Sequence, residues 1–300
     1  MISPRPASHG SKLSLYADNV LLFWLINSSE DFVALQDDIY RVGLWSHSNF
    51  LKLNQAKRKY MIVSHKRIPS VQSSPLLLEG HPLDQVNMFK YLGIFLSHDL
   101  SWSGHVQLIC SRARKMLGLL YRRFYSNVSS DSCFHLYLFL VRPLLKYASA
   151  VWSAHVKDKD VLENIQKFAC CMITRLWESG YLHLLHLVGL SSLECCRLQA
   201  RLSLLYKNIH QLCHFDEGIF TLSTSTTHHA NHNLVVNCPF ARTNAYFYSF
   251  VSRSISIWNN LDSSFVCSSP VSAFKTIYMF LQEFTKETCK GNWSIISKTR

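Results

Sequence analysis

Tyr16-Ala17-Asp18-Asn19 lies between two apolar, strand-like runs, residues 11–16 and 20–26. Asp and Asn both tolerate positive φ, so Asp18-Asn19 reads as the tip of a tight β-hairpin. A carboxylate at such a tip is anchored by two strands yet open to solvent, which suits a divalent cation held against a phosphate. Phosphoryl transfer by two Mg²⁺ ions roughly 4 Å apart needs several carboxylates around them. Four letters alone are equally well an ordinary Asp-Asn turn. His228, His229, His232 and Cys238 form a second candidate, for zinc. Their spacing is not that of a zinc knuckle, and residues 220–233 are rich in Ser, Thr, His and Asn, so a polar loop is the better reading. No Gly-rich phosphate loop, Ser-His-Asp arrangement or Cys-x-x-Cys occurs.

Charge supplies the third candidate. The net charge is +12, and residues 39–130 alone carry +10, with thirteen basic residues against Glu79, Asp84 and Asp99. Such a stretch fits a polyanionic partner as well as it fits a solvated face. Residues 103–124 contribute most plainly. Val106, Ile109, Ala113, Met116, Leu117, Leu120 and Phe124 recur at helical spacing. On a wheel turning about 100° per residue, Arg112, Lys115, Arg122 and Arg123 fall opposite that stripe, with Arg114 to one side.

These residues need elements to position them. Ser29, Glu30 and Asp31 can open a helix whose apolar positions, Val33, Leu35, Ile39, Val42 and Trp45, follow helical spacing only roughly. A bend at Asn54, Gln55 and Lys57 leads into a strand over 60–63. Residues 69–80 read as a loop-rich spacer and 89–96 as one strand. Helices are expected over 103–124, over 131–147 with a disturbance at Pro143, and over 158–176. Ser191-Ser192-Leu193-Glu194 has the form of a capping box opening another, through 211. Two more are expected over 245–261 and 271–284. The fold class is therefore α+β, with a small antiparallel sheet plus helix first and mostly helix after it. The expected domains are 1–100, 101–213 and 214–300.

Composition limits the rest. Hydrophobic residues at 48% and charged residues at 17% exclude a disordered chain. No apolar run approaches the ~20 residues of a membrane helix. The adjacent pairs Cys170-Cys171 and Cys195-Cys196 suit reduced thiols. With no apolar core near Met1, the chain is expected to be intracellular, nuclear or cytoplasmic.

Several blocks occur in one order at close spacing. They are Tyr16-Ala17-Asp18-Asn19 with its apolar continuation, Leu51-Lys52-Leu53-Asn54-Gln55-Ala56-Lys57, and Phe89-Lys90-Tyr91-Leu92-Gly93. Leu100-Ser101-Trp102, Arg142-Pro143-Leu144-Leu145, Glu163-Asn164-Ile165-Gln166 and Ile257-Trp258-Asn259-Asn260-Leu261 follow. Together they resemble the rear half of a LINE-type, non-LTR retrotransposon reverse transcriptase, an RNA-directed DNA polymerase. The resemblance implies a partial palm over 1–100, a thumb-like helical region over 101–213, and a C-terminal region beyond.

By that resemblance Asp18 matches the first metal-binding Asp of a Tyr-x-Asp-Asp motif, and Asn19 stands where the second Asp is expected. Lys57 matches a lysine suited to protonate the pyrophosphate leaving group. Tyr91 and Gly93 resemble the primer grip. Arg112, Arg114, Lys115, Arg122 and Arg123 would lie along an RNA or DNA backbone. Cys195 and Cys196 stand where relatives often carry arginines, so a backbone contact is expected to be lost there. Residues 1–15 contain no Asp or Glu, and the family takes another catalytic Asp from an upstream strand. The expectation is a truncated, inactive copy that binds Mg²⁺ weakly unless its site is completed. Such a copy keeps nucleic-acid binding and accepts a fingers–palm fragment in trans; a non-catalytic interaction protein is the alternative.

Overall fold

The computed structural model describes residues 10–17, 19–64, 75–152, 156–213, 215, 218–223, 232–247 and 249–266. The chain divides into two compact units, 1–100 and 101–300.

In the first unit, β1 (Lys12–Tyr16) and β2 (Asn19–Phe23) pair antiparallel, with Tyr16 opposite Asn19. Ala17 takes φ +50, the left-handed conformation that two-residue hairpin turns demand. The turn thus lies between Tyr16 and Asn19, one residue earlier than the sequence suggests, and β2 stops at Phe23 rather than at residue 26. Helix α1 (Ser29–Ser48) opens behind Ser28. The Asp31 carboxylate accepts the backbone N–H groups of Asn27 and Ser28 at 2.7 and 2.8 Å. Those two donors hold its pKa below the usual carboxylate value. Ile39 and Val42 are buried while Val33 is exposed, which accounts for the loose helical spacing. A small core gathers Ile39, Leu76 and Leu78, with Leu22, Leu35 and Leu53 against it.

The Asn54 side chain accepts the Ala56 N–H at 3.0 Å and caps a 3₁₀ turn over Gln55–Lys57. The following strand is shorter than expected: β3 is Lys59–Tyr60 only. Within the expected spacer, β4 (Leu77–Leu78) and β5 (His81–Pro82) form a hairpin around Glu79 (φ +56) and Gly80 (φ +77). β6 (Asp84–Gln85) pairs parallel with β3. The block over 89–96 is two strands, β7 (Met88–Tyr91) and β8 (Ile94–Ser97), joined at Leu92 (φ +45) and Gly93 (φ +83). Two consecutive positive φ values make this a type I′ turn, which a leucine in its first position disguises. The described strands therefore form four two-stranded ladders, one of them parallel, where a single small antiparallel sheet was expected.

In the second unit, α2 (Ser103–Phe124) has the bounds its periodicity predicts and buries Val106, Ile109, Ala113, Leu117 and Leu120. The helix expected over 131–147 resolves into α3 (Ser130–Leu136), a π-helical turn over Tyr137–Val141, and α4 (Arg142–Lys146). Pro143 lacks an N–H and its ring crowds the carbonyl four residues back, so the helix widens just before it. α5 (Val156–Thr174) follows. α6 (Tyr181–Val188), which the sequence reading lacks, ends on Gly189 at φ +67. α7 (Leu193–Ile209) is capped by Ser192, whose Oγ accepts the Cys195 N–H at 3.1 Å, so the cap sits one residue later than the Ser191–Glu194 spacing implied. The expected 245–261 helix is broken into α8 (Asn244–Phe247) and α9 (Phe250–Asn259), with α10 (Ser263–Val266) after it. The helix expected over 271–284 lies outside the described residues. No helix among the described residues is long and apolar enough to cross a membrane.

Trp152, Leu162, Tyr137 and Leu145 lie at the heart of one buried cluster, and Leu205, Ile255 and Trp258 at that of a second. Cysteines are part of this packing. Burial pushes the thiols of Cys110 and Cys195 up to about 11 and that of Cys170 up to about 12. Only the thiolate reacts, so these buried thiols are poor nucleophiles near neutral pH. In the folded chain Cys110, Cys170 and Cys195 should resist iodoacetamide while exposed Cys238 is modified. Peptide mass mapping before and after unfolding in urea checks this; rapid native labelling of Cys170 would contradict the packing.

Candidate nucleic-acid interface

Asn19 begins β2 and is exposed, and its side chain is a neutral amide. Asp18 lies outside the described residues. Among the described residues no three His, Cys, Asp or Glu side chains converge as metal ligands. The described residues around the hairpin do not fit a two-magnesium cage, which needs several carboxylates. His228 and His229 lie outside the described residues. His232 is buried, with Nε2 3.0 Å from the Trp258 carbonyl and Nδ1 accepting the Leu234 N–H at 3.2 Å. Both ring nitrogens serve the fold, so His232 is not a zinc ligand.

Lys57 closes the 3₁₀ turn, its N–H donating to the Asn54 carbonyl at 3.2 Å and its side chain exposed. Tyr91 ends β7, half-buried, and Gly93 occupies the turn itself. That position favours glycine because its φ is positive. The site is therefore a hairpin tip, and neither a strand interior nor a bulge.

The basic helix is the best-built surface. Along α2 the side chains of Arg112, Arg114, Lys115, Arg122 and Arg123 are all exposed, while the opposite stripe is buried. At 1.5 Å of rise per residue, Arg112 to Arg123 spans about 16 Å, the length of several phosphates on one strand. Asn19, Lys57, Tyr91 and Gly93 belong to the first unit and these five cations to the second. Cys195 and Cys196 are buried.

Two arrangements were not foreseen. One is a buried polar junction. Glu163 accepts the N–H of Leu193 at 3.1 Å and of Glu194 at 2.7 Å, capping α7 from α5, and accepts the Tyr181 hydroxyl at 2.5 Å. Gln166 accepts the Tyr137 hydroxyl at 2.9 Å and donates to the Ser191 carbonyl at 2.8 Å. Burial, then the Glu163 charge, drives the Tyr181 pKa far upward, which keeps its hydroxyl a donor. The other is an aromatic cluster where α2 ends. Tyr121 and Tyr125 lie 4.6 Å apart between ring centroids, and Phe168 lies 5.3 Å from Trp177. Residues 121 and 177 are too far apart in sequence for any local pattern to signal it.

No family model matches the chain, and no solved structure matches it. It is 28% identical over 163 residues to the probable RNA-directed DNA polymerase from transposon X-element of Drosophila melanogaster, covering 51% of this chain and 17% of that protein. It is 28% identical over 173 residues to the probable RNA-directed DNA polymerase from transposon BS of the same species, covering 55% of this chain and 18% of that protein. The aligned stretch spans less than a fifth of the length of either relative. Over about half of its length the chain is thus similar to part of the RNA-directed DNA polymerases of two transposons, in line with the ordered motifs of its sequence.

Proposed function

We propose that this chain is a nucleic-acid-binding portion of a retrotransposon reverse transcriptase and does not polymerise by itself. In this reading residues 1–100 are a partial palm, 101–213 a thumb-like region that lies along RNA or DNA, and 214–300 a C-terminal region. The observation that carries the reading is the exposed basic face of α2 set opposite a buried apolar stripe. Phosphates need only such a surface, whereas nucleotide addition needs converging carboxylates, and Asn19 is neutral. A second, interaction role is favoured by the first hairpin, where Tyr16 and Phe23 stay exposed and β1–β2 carries no third strand among the described residues. Exposed edges and apolar side chains seek a partner, and a fingers–palm fragment in trans would supply one.

Filter binding and primer extension on the purified chain test both halves. Binding to RNA and DNA oligonucleotides should be strong at low salt and similar across sequences. No extension should appear with Mg²⁺ or Mn²⁺, and Asn19→Asp alone should not create it. Extension above a no-enzyme control, abolished by Asp18→Ala, would overturn the inactive half; absence of binding at low salt would overturn the other.

A further inference from the structure

The aromatic cluster at the end of α2 is built unlike a core. Tyr121 contacts Phe168 at 5.7 Å and Trp177 at 6.1 Å, and Tyr125 contacts Trp177 at 6.2 Å, all at steep interplanar angles. The Trp177 Nε1–H donates to the Tyr125 hydroxyl at 3.1 Å, which fixes the indole. The Arg175 guanidinium lies 3.9 Å from the Tyr125 ring centroid and donates to the Val128 carbonyl at 3.4 Å. Despite this order, Phe168 is 39% and Trp177 43% exposed. Rings locked edge to face, with solvent on one side, offer flat apolar surface at little further entropic cost.

Charge decides what that surface suits. Arg122 and Arg123 are exposed on the last turn of α2, and Arg175 is part of the cluster, against a single neighbouring acid in the loop, Glu178. We propose that Tyr121, Phe168 and Trp177 form a stacking platform for an unpaired base of single-stranded RNA or DNA, whose flanking phosphates meet Arg175 and the adjacent Arg122. The inference rests on the nucleic-acid-binding reading and deepens it from backbone attraction to recognition of unstacked bases. A duplex keeps its bases stacked on each other and cannot use the platform, whereas every free base has a π face.

The test uses the full chain. A 20-nucleotide single strand and an abasic strand of equal length and charge are compared by fluorescence anisotropy, beside a duplex. The abasic strand should bind about tenfold more weakly. Trp177→Ala should weaken single-strand binding by a similar factor and leave duplex binding unchanged. Trp177→Phe, which keeps a ring, should retain affinity but lose the tryptophan quenching that the single strand causes in the unaltered chain. Equal affinity for normal and abasic strands, or quenching unchanged in Trp177→Phe, would overturn the platform while leaving backbone binding intact. No binding of any strand would overturn both readings.

Discussion

Changing Arg112, Lys115, Arg122 and Arg123 together to Gln should flatten the salt dependence of nucleic-acid binding by about three units. Each neutralised phosphate contributes a slope of roughly −0.7 on single strands and −0.9 on duplex DNA in log affinity against log salt. Four cations on one exposed arc of α2 therefore account for about three units. Between 50 and 200 mM salt the unaltered chain should lose on the order of sixtyfold more affinity than the variant. The loss should be alike for all sequences, because a helix aligned with phosphates does not read base edges. Stability should change little: the four side chains are exposed, and only Arg122 and Arg123 give up a favourable place at the helix C-terminus, about 0.3–1 kcal/mol each. A titration at several salt concentrations measures the slopes. If the variant keeps the original slope with an unchanged melting temperature, α2 is a solvated face and the interface lies elsewhere.

Glu163→Ala should be among the most damaging single substitutions in the second unit. Its side chain is 18% exposed and faces Arg197, 6% exposed, with N···O at 3.7 Å. Removing the carboxylate uncaps the α7 N–H groups of Leu193 and Glu194, takes the acceptor from the Tyr181 hydroxyl, and leaves Arg197 buried without this anion. Stranding one member of a buried pair costs about 3–5 kcal/mol. For a unit of this size that lowers the melting temperature by about 10 °C. Gln166→Leu deprives the Tyr137 hydroxyl of its acceptor and should cost less, about 1–3 kcal/mol. Lys159→Ala removes an ion pair whose Glu194 partner is 39% exposed, and should cost under about 1 kcal/mol. Urea unfolding of the three variants orders them. Equal, small losses would mean that the Glu163–Gln166 motif is not a structural lock.

Much of this arrangement was legible from residue order alone. Burial repeats every 3.6 residues on a helix, so the stripe from Val106 to Leu120 predicted α2 and, by exclusion, its basic face. The ordered blocks from Tyr16 to Leu261 carried the family likeness. Local cues erred where one residue's side chain disguised its backbone. Leu92 in a left-handed conformation turned an apparent strand into a hairpin, whereas the disturbance expected at Pro143 is there, as a π-helical turn just before it. What only the tertiary structure decided are convergences between distant residues. Glu163 and Gln166 stood out as a motif, yet their work as cap and bridge exists only because α5, α6 and α7 pack together. Tyr121, Phe168 and Trp177 meet because the end of α2 lies against α5 and the loop after it. Spacing along a chain reports neighbours within a turn or two. Contacts across fifty residues are set by which apolar faces bury each other, and no local period encodes that choice.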